Sequence, residues 1–367
     1  MIKLLVVDDS ALMRRLLGEV FSHAEGFELA FAKDGREALE RMTTFRPDVI
    51  TLDVNMPGMN GLETLDQIML HRPCPVVMLS SVTTDGADET LEALALGAVD
   101  FVAKPTGAVS LKMDALAPDL IQTVRAAAEA RVRRTHRLAE RVRLRAPKAR
   151  VSSAPTPHTG PRPPRSTPPA GEIPGLVVIG ASTGGPPALD AVLGGLPEDF
   201  PWPVVIAQHM PASFTGSLAR RLDGLCRLRV IEATAPVRLE IGTVYIAKGD
   251  ADMILSRRAG GLSALPAPQS DRHRWHPSVD RLMDSAMNML PPDRLAGVLL
   301  TGMGNDGARA MTALRSTGGW TIAESENTAV VWGMPGELAK AGGASVVADI
   351  GDVAAHLGSA VASNDCG

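Results

Sequence analysis

The chain has 367 residues, 45% of them hydrophobic, with a formal net charge of −4. That length exceeds one ordinary core and sets two domains as the starting expectation. The mixed charge excludes a disordered chain and a generally basic nucleic-acid binder, and no apolar run reaches the roughly 18 residues that crossing a bilayer requires.

The opening residues, MIKLLVVDDS, place two aspartates where a secretory signal would still be apolar, so no targeting peptide is expected. The three cysteines, Cys74, Cys226 and Cys366, are far apart and follow no ligand pattern. Together these features predict a cytoplasmic protein without disulfides or zinc.

Along the first 122 residues the runs KLLVVD, FELAFA, PDVITLD, PVVMLS and VDFVAK alternate with amphipathic stretches such as ALMRRLLGEVF. Five such units predict a parallel sheet with helices on both faces, whose ligands gather at the carboxyl ends of the strands. Asp8 and Asp9 close the first strand, Asp53 the third, Ser80 the fourth and Lys104 the fifth. Singly, an aspartate after a strand is an ordinary turn or cap residue. Three carboxylates at one edge, however, repel unless a cation neutralises them, and an all-oxygen set suits magnesium. A hydroxyl and an ammonium beside them complete a phosphoryl-accepting site.

The motifs VVDDS, LDVNMPGMNG, MLSS and VAKP, in this order, resemble the receiver domain of two-component response regulators. The resemblance implies a flavodoxin-like fold and phosphorylation of Asp53 by a sensor histidine kinase. It further implies Mg2+ on Asp8, Asp9, Asp53 and the backbone carbonyl of Asn55, with Ser80 and Lys104 sensing the phosphate. It also suggests a cis Lys104–Pro105 bond, which a proline permits at modest cost.

From Arg125 to Arg150 ten Lys or Arg face two Glu, and eight prolines follow between Pro155 and Pro174. Proline without apolar partners makes an extended spacer. Residues 123–172 are therefore read as a basic helix, packed at its start and solvated at its end, followed by a linker. Residues 173–367 form the second domain.

Here LVVIG, PVVIAQ, TVYIA and AGVLLTG are again continuous apolar runs, as strands buried on both faces require. Gly180-Ala181-Ser182-Thr183-Gly184 fits G-x-S-x-G at a strand-to-helix turn, which exposes a hydroxyl. Serine needs a base that is itself held in place. Of eight histidines only His209 directly follows a buried-strand pattern, in PVVIAQHMP. Asp306 lies in the turn after AGVLLTG, where the plain alternative is a helix cap. All three leave parallel strands at one edge, as a Ser-His-Asp relay needs. The order Ser, His, Asp excludes an ordinary α/β-hydrolase. The spacing of GASTGG also disfavours a dinucleotide turn.

GASTGGPPAL, QHMPASFTGSLARRLD, HPSVDRLMDSA, LLTGMGNDGARAM and VVWGMPGELA resemble, in order, the receiver-linked protein-glutamate methylesterase and protein-glutamine deamidase of bacterial chemotaxis. That resemblance implies a mostly parallel α/β/α second domain. Ser182 would attack a methylated glutamate on a chemoreceptor's cytoplasmic helices, with His209 as base and Asp306 as its orienter. The backbone N–H of Met303 and of Thr183 would stabilise the oxyanion, and the Thr183 hydroxyl could lie near the histidine. Met210, Met303 and Met334 either line the cleft or fill core gaps. Residues 321–327, TIAESEN, depart from the glutamine-plus-acid stretch common there in the family.

A receiver joined to a hydrolase suggests that the unphosphorylated receiver covers Ser182, and that charge at Asp53 repacks its face around Ser80 and Phe101. The expected partners are a chemotaxis-type histidine kinase and a methyl-accepting chemoreceptor. No nucleic acid or membrane insertion is expected, and the protein is expected to be a monomer. A transcription factor would show a helix-turn-helix output with a basic face, which is absent from the sequence. Nothing in the sequence favours a phospho-switch without enzyme activity, whose second domain would only bind a partner, since all three triad candidates are present.

Overall fold

The computed structural model describes residues 1–81, 83–104, 109–130 and 173–364. The linker, most of the basic run and the Lys104–Pro105 bond fall outside these residues.

The first domain is a five-stranded parallel sheet in the order β2-β1-β3-β4-β5, with β1 Ile2–Val7, β2 Phe27–Ala32, β3 Val49–Asp53, β4 Val76–Ser80 and β5 Asp100–Ala103. Within β1, Leu5 and Val7 enter one apolar cluster while Leu4 and Val6 enter another, so both faces are covered. Helices α1 Ala11–His23, α2 Gly35–Phe45, α3 Gly61–His71 and α4 Thr84–Leu96 start at Ser10, Asp34, Asn60 and Thr83. Each of those side chains accepts a first-turn amide, and Asn60 with Glu63 completes a capping box. Helix α5, Val109–Glu129, carries buried Val124 and Ala127, so the basic run begins inside a helix packed on the receiver.

The second domain is built on a seven-stranded parallel sheet, β15-β14-β13-β6-β7-β10-β8. The sequence runs correspond to β6 Leu176–Ala181, β7 Val204–Gln208, β10 Thr243–Ala247 and β13 Leu295–Leu299. Added to them are β8 Arg229–Ala233, β14 Trp320–Glu324 and β15 Val346–Ala348. A separate antiparallel sheet of β9 Val237–Arg238, β11 Asp252–Arg258 and β12 Gly261–Ala267 was not legible in the apolar runs. The chain passes from β6 outward through β7 and later returns to add β13 on the other side of β6. The crevice between β6 and β13 is therefore the switch point, where ligands of such sheets bind.

Helices α6 Gly185–Gly195 and α7 Ala212–Leu225 follow β6 and β7, and α8 Val279–Met287, α9 Ala308–Ser316, α10 Met334–Lys340 and α11 Val353–Asn364 complete the layers. The receiver's α4 lies against α6 and α7, and Phe101 of β5 meets Phe214 of α7 with ring centroids 4.3 Å apart. No helix among the described residues is long and apolar enough to cross a membrane.

Candidate active site

Register alone brings the first two candidates together. Ala181 pairs with Gln208, so Ser182 and His209 are the next residues beyond the ends of β6 and β7, on strands about 4.8 Å apart. The His209 amide donates to the Ala181 carbonyl at 2.9 Å and the Ser182 amide to the Thr301 carbonyl at 3.0 Å, pinning both strand ends. Gly184, at φ 77°, takes the left-handed turn that starts α6. At Gly302 a Cβ would stand 2.5 Å from that of Ser182, so only glycine lets the turn after β13 approach the serine so closely.

Asp306 lies in that same turn. It caps no residue of α9, whose N-cap is Gly307; it serves a different helix instead. Its carboxylate accepts from the amides of Val279 (2.7 Å) and Asp280 (3.0 Å) at the start of α8, and from the Ser278 hydroxyl (3.1 Å). His209 Nε2 stands 2.9 Å from the same group. Burial by itself would push the Asp306 carboxyl up, but the bond from His209 and the two amides outweigh it and hold the carboxyl below its ordinary value. The aspartate is therefore a stable anion aimed at Nε2. Nδ1, the other ring nitrogen, is buried and has no hydrogen-bond partner. Ser182, His209 and Asp306 are all largely buried.

Several residues that the sequence reading passed over hold this arrangement. Gln208 Nε2 donates to the carbonyls of Ser182 (2.9 Å) and His209 (3.1 Å), tying the two turns together. Buried Asp252 accepts from the Ser278 amide (2.9 Å) and Arg281 (2.5 Å) and faces His276 Nδ1 at 3.0 Å, which fixes the segment entering α8. Glu324, in TIAESEN, is buried and accepts the Thr301 amide at 2.8 Å. Burial pushes its carboxyl up to about 7 against the lowering effect of that amide. Trp275 lies parallel to the His209 ring. Met210 and Met334 are buried, whereas Met303 is half-buried in the turn facing Ser182.

The Thr183 hydroxyl has its hydrogen-bond partner on the other domain. It donates to Asp100 of the receiver at 2.5 Å, because β5 of that domain is seated over the nucleophile turn. Removal from water pushes the Asp100 carboxyl up to about 6, against the lowering effect of the Thr183 and Phe101 bonds. Arg220 reaches Asp88 at 3.6 Å and Arg274 reaches Gln122 at 2.7 Å across the same seam.

The receiver's own cluster lies at the ends of β1 and β3. Ligand atoms of Asp8, Asp9 and Asp53 fall within 4.8 Å of one another. Lys104 Nζ bridges Asp8 and Asp53 at 2.8 Å each. Burial pushes the Asp53 carboxyl up and Lys104 only partly offsets this; three carboxylates face one ammonium, a deficit of positive charge. A hard divalent cation on these oxygens fits that deficit. The buried Ser80 hydroxyl faces α4: it bonds to the Gly86 carbonyl (3.0 Å) and accepts from Thr90 (2.6 Å).

The response regulator receiver domain family matches residues 4–115, and the CheB methylesterase family matches residues 177–357. The protein-glutamate methylesterase/protein-glutamine glutaminase 2 of Rhodopseudomonas palustris (strain BisB18) is 54% identical over 366 residues, 97% of each chain. The corresponding protein 3 of Rhodospirillum rubrum is 51% identical over 357 residues, 97% of this chain and 95% of that one. Among solved structures, the CheB methylesterase catalytic domain of Thermotoga maritima is 38% identical, covering 50% of this chain and 97% of that one with a TM-score of 0.49.

Proposed function

The chain belongs to the protein-glutamate methylesterase/protein-glutamine glutaminase family of chemotaxis, and from that premise we propose a phosphorylation-gated serine hydrolase with Ser182, His209 and Asp306 as its triad. Ser182 Oγ attacks the side-chain carbonyl of a methylated glutamate on a chemoreceptor's cytoplasmic helices. His209 Nδ1 takes the serine proton and returns it to the leaving methanol. Asp306, an anion on Nε2, orients the ring and stabilises the imidazolium. Water then attacks the acyl-enzyme, its proton passes through Nδ1 back to Ser182, and a free carboxylate remains. With glutamine as substrate, ammonia leaves in place of methanol. The amides of Met303 and Thr183 are assigned to the oxyanion, each worth about 3 kcal/mol of the barrier.

The observation that carries this reading is the 2.9 Å bond from His209 Nε2 to a carboxylate held in its ionised form, which leaves the buried Nδ1 as the one ring atom open to the serine proton. It is tested by methanol release from methylated receptor membranes with the Ser182→Ala protein. Release should fall roughly 10⁴- to 10⁶-fold; unchanged release rejects the nucleophile.

The gate rests on the covered site. Ser182 is 9% exposed, and a helical substrate is kept from it while Asp100 holds the turn at Thr183 and Phe101 packs on Phe214 of α7. A histidine kinase supplies the phosphoryl group to Asp53. Asp8, Asp9, Asp53 and the Asn55 carbonyl would hold Mg2+, which would supply positive charge for the phosphoryl oxygens. The aspartyl phosphate carries about two negative charges, on its phosphoryl oxygens, where the carboxylate carried one. These charges draw Ser80 and Lys104, and Ser80 must then give up Gly86 and Thr90, which frees the helix that packs on α6 and α7. The enzyme is read as a cytoplasmic monomer. Comparison of the phosphorylated and unphosphorylated whole chain with residues 173–367 tests the gate: an isolated domain no faster than the unphosphorylated whole rejects it.

A further inference from the structure

His209 is held at Nε2 by Asp306, but one hydrogen bond leaves an imidazole free to rotate about the axis through that nitrogen. The ring plane needs a second constraint, and the structure provides one from the polar stretch DRHRWHPSVD. The Trp275 indole is parallel to the imidazole within 1°, with centroids 5.6 Å apart, an offset stack. The indole is itself fixed. At Gly304, in the turn that carries Asp306, a Cβ would lie 2.6 Å from Trp275, so the indole is pressed against that turn. Arg274 stands 5.3 Å from the indole centroid. On the chain immediately after Trp275, His276 and Ser278 are anchored to Asp252.

We propose that Trp275 is a positioning residue for the base: it sets the plane of the His209 ring so that Nδ1 stays on the Ser182 side when Nε2 binds Asp306. The inference rests on the triad reading above. An aromatic face also favours a cation lying over it, so the indole stabilises the imidazolium formed when Nδ1 takes the serine proton. The charged groups around the imidazole are Asp306 at Nε2, with Asp280 and Arg309 behind it, and Arg274 at the indole. Arg274 opposes the indole's effect on the cation and Asp306 reinforces it.

The test uses the full chain on methylated receptor membranes, with Trp275→Leu, Trp275→Phe and Ser182→Ala side by side. Trp275→Leu is expected to lower kcat about tenfold with KM unchanged. It should also move the acid limb of kcat/KM to lower pH by about half a unit, because an imidazolium without the ring is less favoured. Trp275→Phe, which keeps a face of smaller area, should recover most of both effects. In spectra of 13C-histidine-labelled protein the His209 ring protons should lie upfield, shift downfield in Trp275→Leu, and stay partly upfield in Trp275→Phe. Wild-type kcat with an unmoved limb in Trp275→Leu overturns the proposal, as does a rise in KM alone, which would make Trp275 a substrate contact. Should Trp275→Leu unfold, the Phe variant and the histidine spectrum decide. If Ser182→Ala abolishes turnover while Trp275→Leu behaves as wild type, only the role of Trp275 fails.

Discussion

Asp53, which ends β3, and Asp306, in the turn after β13, are both buried aspartates at the carboxyl edges of parallel sheets, yet their environments push them in opposite directions. Asp306 receives two backbone amides, a hydroxyl and an imidazole, and its carboxyl is held below the ordinary range. Asp53 receives one amide, from Asn55, and one ammonium that it shares with Asp8, and burial pushes it up. The first site is electrostatically complete within the protein; the second is a deficit that an outside cation and then a phosphoryl group can fill. A strand-end carboxylate thus serves as a fixed part of a relay when donors surround it, and as an acceptor when they are too few.

Breaking the completed site should cost most. Asp306→Asn keeps the shape of the group but removes the negative charge, and it presents an N–H₂ either to Nε2 or to the amides of α8. The imidazolium loses its partner and Nδ1 no longer reliably carries the lone pair. Turnover on methylated receptor membranes should fall roughly 10⁴-fold with little change in KM, and a loss below tenfold would take Asp306 out of the relay. Asp53→Asn, by contrast, should leave unphosphorylated turnover unchanged and abolish only the increase that phosphorylation brings, a coupling of roughly 5- to 150-fold. Chelating Mg2+ should do the same to the wild-type chain. Activation surviving either treatment would show that the signal enters elsewhere.

The two sites were not equally legible. In the receiver, the cluster of Asp8, Asp9, Asp53 and Lys104 could be read, because these residues are charged, sit directly at the ends of apolar runs and make sense only as a group, whereas the turn of the Ser80 hydroxyl toward α4 could not. Ser182, His209 and Asp306 could also be placed at one edge by strand ends alone. Their support could not. Trp275, Ser278 and Asp252 lie in or against a polar stretch without apolar periodicity, and they meet His209 and Asp306 only through tertiary packing. Which ring nitrogen faces Asp306 is likewise a matter of side-chain geometry, not of spacing. The missed strands β8 and β15 read RVIEA and VVA, too short or too polar to stand out, and the hairpin of β11 and β12 carries charges at its tip. Asp100 lies inside the strand run VDFVAK with nothing to mark it as a contact, and its bond to Thr183 exists only because one domain sits on the other.

That interdomain aspartate gives the smallest and most selective prediction. In the closed arrangement the Asp100 carboxyl is pushed up to about 6, mainly by removal from water; released into solvent it would return to the ordinary value of 3.8. Between those values the closed form holds a proton that the open form does not, so closure is favoured as pH falls and the advantage disappears as pH rises through 6. From pH 7 to pH 5 the ratio of closed to open should rise about tenfold. The quantity to follow is the turnover of the unphosphorylated whole chain divided by that of residues 173–367 at each pH, since the pH dependence of the chemistry itself then cancels. It should drop about tenfold over that interval in the wild type. In Asp100→Asn, whose amide oxygen still accepts from Thr183 but does not titrate, it should stay flat. Equal slopes in the two proteins would mean that some other group senses the pH, and that the bond to Thr183 closes the domains without carrying a charge that matters.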